Sequence, residues 1–180
     1  MPDPVIGCSS LAHLVPDTGC VEQFSGVEST IYVFRKADLA SEPILDTTTG
    51  AYSALVFKEG KGAYKLVCKD DSNKVDTKSS NFKKGFELTM TAIMDRFDSE
   101  ISNELRAINN EEVGFVVPDD TKNILVYNPN RRLQITTAGT SGAKADDERT
   151  TTITAVMSKS RFQYPTVPGP IVTYTPPVTP

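Results

Sequence analysis

The chain is poor in the residues that usually carry metal and covalent chemistry. Among 180 residues it has one histidine, His13, and three cysteines, Cys8, Cys20 and Cys68, with no C-x-x-C spacing. A single histidine cannot supply the usual multi-histidine zinc or iron site, so neither metal nor cofactor is expected. Scattered cysteines in odd number, without a secretion signal, read as free thiols in a reducing compartment. Met1-Pro2-Asp3-Pro4 has no basic region and no long apolar stretch, which does not fit a signal peptide. No apolar run approaches the ~20 residues of a membrane span, so no membrane anchor is expected. Phosphate loops are missing too. Gly60-Lys61-Gly62 and the stretch from Gly139 to Lys144 lack both the required spacing and a following helix. Asp70 to Asp76 offers oxygen ligands without the glycine and closing glutamate of a calcium loop.

What is present is a globular, slightly polar composition, 38% hydrophobic and 23% charged. Its length suits one domain with arms. Nineteen basic and 23 acidic residues give a net charge of -4, which argues against general affinity for nucleic acid backbones. The acidic doublets Glu111-Glu112, Asp119-Asp120 and Asp146-Asp147 all lie beside turns, where solvated turn chemistry accounts for them. Charge is unevenly spread. From Lys58 to Lys84 eight lysines face four acids, an excess of +4, so the rest of the chain carries -8. Such a molecule can pack basic protrusion on acidic remainder. The same lysines can equally keep an exposed hairpin soluble and its edge unpaired.

Periodicity sets the organisation. Residues 1–27 are weakly patterned and read as an N-terminal arm. Thr30 to Arg35 is β-branched and aromatic, a strand. Tyr52–Phe57 and Ala63–Cys68, joined through Gly60 and Gly62, predict a hairpin, and 69–81 predicts polar turns. Phe82 to Met94 alternates Phe86, Leu88, Met90, Ala92 and Met94 with Glu87, Thr89, Thr91 and Ile93, so one face is apolar and the other mostly polar. Asp95 is the expected cap of a helix near 96–109, whose stripe is Phe97, Ile101, Leu105 and Ile108. Strands resume over 112–117, 123–127, 131–137 and 150–158. Six of the twelve prolines fall in 162–180, so 161–180 reads as a proline-rich C-terminal arm. The expected class is mainly β: an antiparallel β-sandwich or barrel over 28–160, flanked by one α-helix, with extended arms.

The order of these elements carries a resemblance. A long alternating strand, Phe86 to Met94, leads into a helix containing Asn103-Glu104-Leu105. Glu112-Val113-Gly114-Phe115-Val116-Val117-Pro118-Asp119 follows, then Ile124-Leu125-Val126-Tyr127. The last strand pair flanks the loop from Ala138 to Asp147. Over roughly 28–158 this resembles the tail-tube-like and neck-ring structural proteins of tailed bacteriophages. The resemblance implies a non-enzymatic homo-oligomer, often a sixfold ring. It would be assembled in the bacterial cytoplasm and carried in the virion tail or neck. Adjacent ring, portal or tail proteins would be its partners, and DNA would be only passing cargo. It further implies that neighbouring strands join into one inner barrel. On that basis Glu87, Thr89 and Thr91 are expected to face the lumen. Lys58, Lys61, Lys65 and Lys69 are expected on an assembly surface, and Pro165, Pro168, Pro170, Pro176 and Pro177 in a docking arm. Two other readings stay open. One is a monomeric or trimeric β-sandwich decoration module of the virion. The other is a small hydrolase using a carboxylate pair or Cys8 with His13.

Overall fold

The structure, a computed structural model, describes residues 29–79, 85–119, 122–141 and 148–175. Two antiparallel sheets form its body. The first runs in the order Thr166–Val167 (β11), Asn123–Val126 (β8), Val113–Pro118 (β7), Thr30–Arg35 (β1) and Tyr64–Val67 (β4). The second runs Lys74–Ser79 (β5), Phe86–Met94 (β6), Thr150–Ser160 (β10) and Gln134–Thr140 (β9). A two-stranded ribbon, Leu39–Ser41 (β2) with Val56–Phe57 (β3), stands beside them. One helix, Ser99–Asn110 (α1), follows β6. The mainly β class with one helix is therefore observed, and no sheet closes into a barrel among the described residues.

The main core lies between the sheets. Ile31 and Val33 of β1, Phe115 and Val117 of β7, and Ile124 and Val126 of β8 meet Leu88, Met90 and Ala92 of β6 and Ile153, Ala155 and Met157 of β10. Ile101 and Ile108 of α1 pack into the same cluster. A smaller core covers the opposite face of the first sheet, with Phe34, Val116, Leu125, Tyr127 and Val167. Strand β7 is therefore buried at every residue and reads as a continuous apolar run. Gly114 makes room there: a Cβ on it would lie 2.4 Å from the Phe34 ring.

Several expectations need correction. The Tyr52–Phe57 segment pairs with the chain before it, not with 63–68. The ladder joins Leu39 to Phe57, Ser41 to Val56 and Leu45 to Tyr52. The local turn decides this. Asp46 accepts from the Thr48 amide at 2.9 Å and the Thr49 hydroxyl at 2.7 Å, and Gly50 closes the turn at φ 77°. Strand β4 is then free to pair with β1. Residues 74–79, read as polar turn, form β5 against β6, because alternating polar residues suit a sheet edge as well as a loop. The helix and its cap both lie three residues later than expected, with the helix starting at Ser99 and the cap at Asp98. Asp98 accepts from the Ile101 amide at 2.9 Å, while Asp95 precedes the turn.

Residues 165–174 lie on their own domain. Thr166 and Val167 pair with β8, Pro165 is fully buried, and Thr173 bridges Ala63 in parallel. Tyr174 stacks near Tyr64 at 5.1 Å between ring centroids. The free arm expected at 161–180 is thus a strap over this stretch. Apolar residues between the prolines, Val167 and Ile171, have a core to enter. A Cβ on Gly62 would lie 2.6 Å from the Tyr174 amide nitrogen, so only glycine lets the strap close in.

Candidate functional site

The two sheets differ in how they are covered. Both faces of the first are packed. The second packs only the face carrying Leu88, Met90 and Ala92, and its other face is half-exposed along β6 and β10. Register fixes what that open face presents. One row across the sheet reads Lys74, Thr91, Thr154, Thr136. The next reads Asp76, Thr89, Val156, Gln134. Glu87 stands opposite Lys78. Glu87, Thr89 and Thr91 therefore share one open, polar face with Thr152 and Thr154 of β10. Its charges are internally matched. Lys78 Nζ lies 2.7 Å from Glu87, and Lys74 Nζ lies 2.9 Å from Asp76. Two cations and two anions make these rows neutral. At this exposure such pairs add little stability, so their main effect is on the field above the face.

Both long edges of this sheet are open among the described residues. Backbone alternation shows which groups point outward. The Ile93 carbonyl accepts from the Lys69 amide, on the β5 side, so odd residues of β6 face β5 and even residues face β10. The register then turns odd residues of β10 toward β6 and even ones toward β9. On β9, Gln134, Thr136 and Ala138 bond to β10, leaving Ile135, Thr137 and Gly139 with outward N–H and C=O groups. Strand β9 carries no charge and no proline. Strand β5 carries Lys74, Asp76 and Lys78. The former is an undefended edge and the latter a charged one.

The four lysines expected on one assembly surface are dispersed. Lys58 donates to the Ala37 carbonyl at 2.7 Å, and Lys61 approaches the buried Asp38 at 3.9 Å. Lys65 is exposed on β4. Lys69 pairs with Glu148 at 2.5 Å, on the β6-β10 side. The Glu148 carboxylate keeps the Lys69 ammonium above its usual range. Of the arm prolines, Pro165 is buried and Pro168 and Pro170 are exposed, whereas Pro176 and Pro177 lie outside the described residues.

Of the carboxylates suggested for hydrolysis, Glu111, Glu112 and Asp119 are described and each serves another partner, whereas Asp120, Asp146 and Asp147 lie outside the described residues. Glu111 bonds Arg35 at 2.8 Å and Glu112 approaches Lys36 at 3.4 Å, so the doublet serves two different cations. Asp119 accepts from the Tyr164 hydroxyl. Burial pushes the Cys68 thiol up to about 11, far from an activated nucleophile. Cys8 and His13 lie outside the described residues. No group of three His, Cys, Asp or Glu side chains could hold a metal among the described residues. Two grooves are not evident in the sequence. One, of about 580 Å³, lies between α1 and β9 and is lined by Phe97, Ile101, Leu105 and Thr137. The other, of about 470 Å³, lies between α1 and β4. Neither has a local motif; each arises where a helix leaves a sheet edge uncovered. No family model, curated protein or solved structure matches the chain.

Proposed function

We propose that the protein is a structural subunit of a ring or tube that conducts DNA, of the kind found in the tail or neck of a tailed bacteriophage. Neighbouring copies join edge to edge through β9 of one and β5 of the next. The observation that carries this reading is the second sheet: four antiparallel strands, two open edges and one neutral polar face. An even number of antiparallel strands puts β5 and β9 in opposite directions. Rotation about an axis along the sheet then brings β9 against the next β5 antiparallel, and the pairing repeats without a break. Closure removes the uncharged β9 edge from solvent.

Size favours sixfold over threefold closure. Six copies give ~24 strands, and at ~4.8 Å spacing and ~40° tilt the backbone cylinder is roughly 48 Å across. Side chains reduce this to roughly 35–40 Å, wide enough for a duplex of about 20 Å. Three copies give a cylinder only roughly 24 Å across, too narrow once side chains are counted. The face would then meet DNA with threonine hydroxyls and paired charges, which neither hold nor strongly repel phosphate.

A second reading, a monomeric decoration module, draws on the charged β5 edge, since such edges commonly resist pairing. Negative-stain microscopy over a concentration series, with mass measured on the same samples, separates the two. Rings with a central opening of duplex width support the conduit. A single copy at every concentration, also in the presence of a preformed ring or tube, favours the module.

A further inference from the structure

The outer edge of β4 is half covered, and the manner of its covering points to what completes it. The Cys68 amide donates to the Ser29 carbonyl at 2.7 Å, so residues 64, 66 and 68 bond inward to β1. Ala63, Lys65 and Val67 therefore turn their backbone groups outward. Ala63 is satisfied by the strap: its amide donates to the Val172 carbonyl at 2.8 Å, and the Tyr174 amide donates to its carbonyl at 2.9 Å. Continued in the same parallel register, the next donor, to the Lys65 carbonyl, would be the nitrogen of residue 176. That residue is Pro176, which has no N–H, and Pro177 follows. A proline there has no N–H to offer the Lys65 carbonyl, and among the described residues neither Lys65 nor Val67 makes an outward backbone hydrogen bond. Val67 is also 65% exposed, rare for a valine in a strand of this sheet. Beneath the same edge lies the groove of about 470 Å³, lined mainly by apolar groups such as Val33, Tyr64, Leu66 and Ile108, with Glu104 and the Arg35–Glu111 pair also in its wall. Free main-chain groups beside a mainly apolar cavity make a site for an added strand: the backbone supplies affinity and alternate side chains fill the cavity.

We propose that this edge is the seat of the chain's own N-terminal segment, residues 1–28, which adds a short strand beside Lys65–Val67. Three observations favour this occupant. The segment enters the domain at Ser29, bonded to Cys68, at the end of β4 and one strand from the open edge. An added strand that turns at this end into β1 must run parallel to β4, the direction the strap already takes at Ala63. Charge is complementary: residues 1–28 carry Asp3, Asp17, Glu22 and Glu28 and no lysine or arginine, whereas the edge presents Lys65 with no ion pair among the described residues. A second β4 would instead set Lys65 near Lys65, which disfavours a symmetric pairing of edges. Within the segment, Leu11-Ala12-His13-Leu14-Val15 is a short uncharged stretch with apolar side chains on both faces, suited to the cavity. The tether places it at roughly millimolar effective concentration.

The test uses the full chain, at concentrations where mass measurement shows a single copy. Zero-length carbodiimide cross-linking is followed by peptide mass spectrometry on a mixture of heavy- and light-isotope protein. Links from Lys65 to Asp17 or Glu22 within one isotope are expected, and Lys65→Glu should abolish them without unfolding, since the side chain is exposed. Amide exchange is read in parallel. The Lys65 and Val67 amides should exchange at least about tenfold more slowly than exposed edge amides. Links only between isotopes would overturn the assignment to the chain's own segment. Unprotected Lys65 and Val67 amides, with no link to residues 1–28, would overturn the site.

Discussion

Replacing Thr137 by proline tests the joint between copies at the backbone. In the single subunit the Thr137 N–H points away from β10, so the substitution removes no bond that the fold uses. Proline is tolerated on such an edge. In the proposed ring, Ile135, Thr137 and Gly139 would be the β9 residues that reach the neighbouring β5. Each net hydrogen bond is worth about 0.5–1.5 kcal/mol, and the acceptor left facing proline costs about 1–3 kcal/mol more. The expected loss is about 2–4 kcal/mol per joint, roughly 30- to 1000-fold in pairwise association. Every joint of a ring suffers it, so assembly should shift beyond reach of ordinary concentrations. Sedimentation velocity and microscopy read the outcome, with Thr137→Ala as control for the half-buried side chain. The melting temperature of the single subunit should move by less than about 5 °C. Rings of Thr137→Pro at the concentration that assembles the native chain would show that β9 is not the joint. Equal loss in the alanine variant would place the effect in the side chain rather than the backbone.

Other substitutions probe separate claims. Glu87→Lys leaves Lys78 without its partner and turns the neutral face into one of net +2. It should fold and assemble, yet raise the affinity of rings for duplex DNA, with a steeper salt dependence. Unchanged DNA retention at low salt would remove Glu87 from the lumen. Asp98→Ala removes the cap of α1 and should cost about 1 kcal/mol in denaturant unfolding, whereas Asp95→Ala should cost almost nothing. Tyr127 is buried, its hydroxyl has no hydrogen-bond partner among the described residues, and burial pushes its pKa up to about 12. Between pH 10 and 12 the unfolded chain then loses a phenolic proton that the folded chain keeps, so stability falls over that window as pH rises. Tyr127→Phe should flatten this alkaline decline and raise stability at pH 7 by about 1 kcal/mol. A clear loss of stability at pH 7 would mean that the hydroxyl is satisfied.

The sequence made some of this legible and hid the rest for physical reasons. Strand β6 was readable because alternation is a local property: every second residue from Phe86 to Met94 is apolar and enters the core. The stripe of α1 was readable likewise at Ile101, Leu105 and Ile108, whereas Phe97, expected in the same stripe, precedes the helix and is exposed. The helix start was not readable, because Asp95 and Asp98 are chemically equivalent caps and only the turn that Arg96 and Phe97 take selects the second. The partner of Tyr52–Phe57 was hidden because pairing depends on competition. Gly60 and Gly62 advertise a turn, but the Asp46 turn is the one that sets 39–45 in register with 52–57. The strap was hidden by its own composition. Prolines mark a segment that cannot sit within a ladder, and they say nothing of Val167 and Ile171 between them, which are apolar enough to be held down.

The two sheets divide the work in a way that explains where function can reside. The first is covered on one face by the second sheet and α1, and on the other by the ribbon and strap. It has little left to offer a second molecule, since its one unfinished edge, at β4, is the edge assigned to the chain's own N-terminal segment. The second sheet has spent only one face on the core. Had its open face been meant for plain solvent, scattered lysines and glutamates would have served. Instead it sets threonines in register across β6, β10 and β9 and pairs its few charges within the face. Its edges are unlike: β5 is charged and β9 is bare. A lone subunit has no use for a bare seven-residue edge, which invites misassembly. A subunit that must join a neighbour needs one such edge. The charges of β5 lie on the open face, two of them already paired within the strand, so they can limit which strand approaches without closing the edge to the right one.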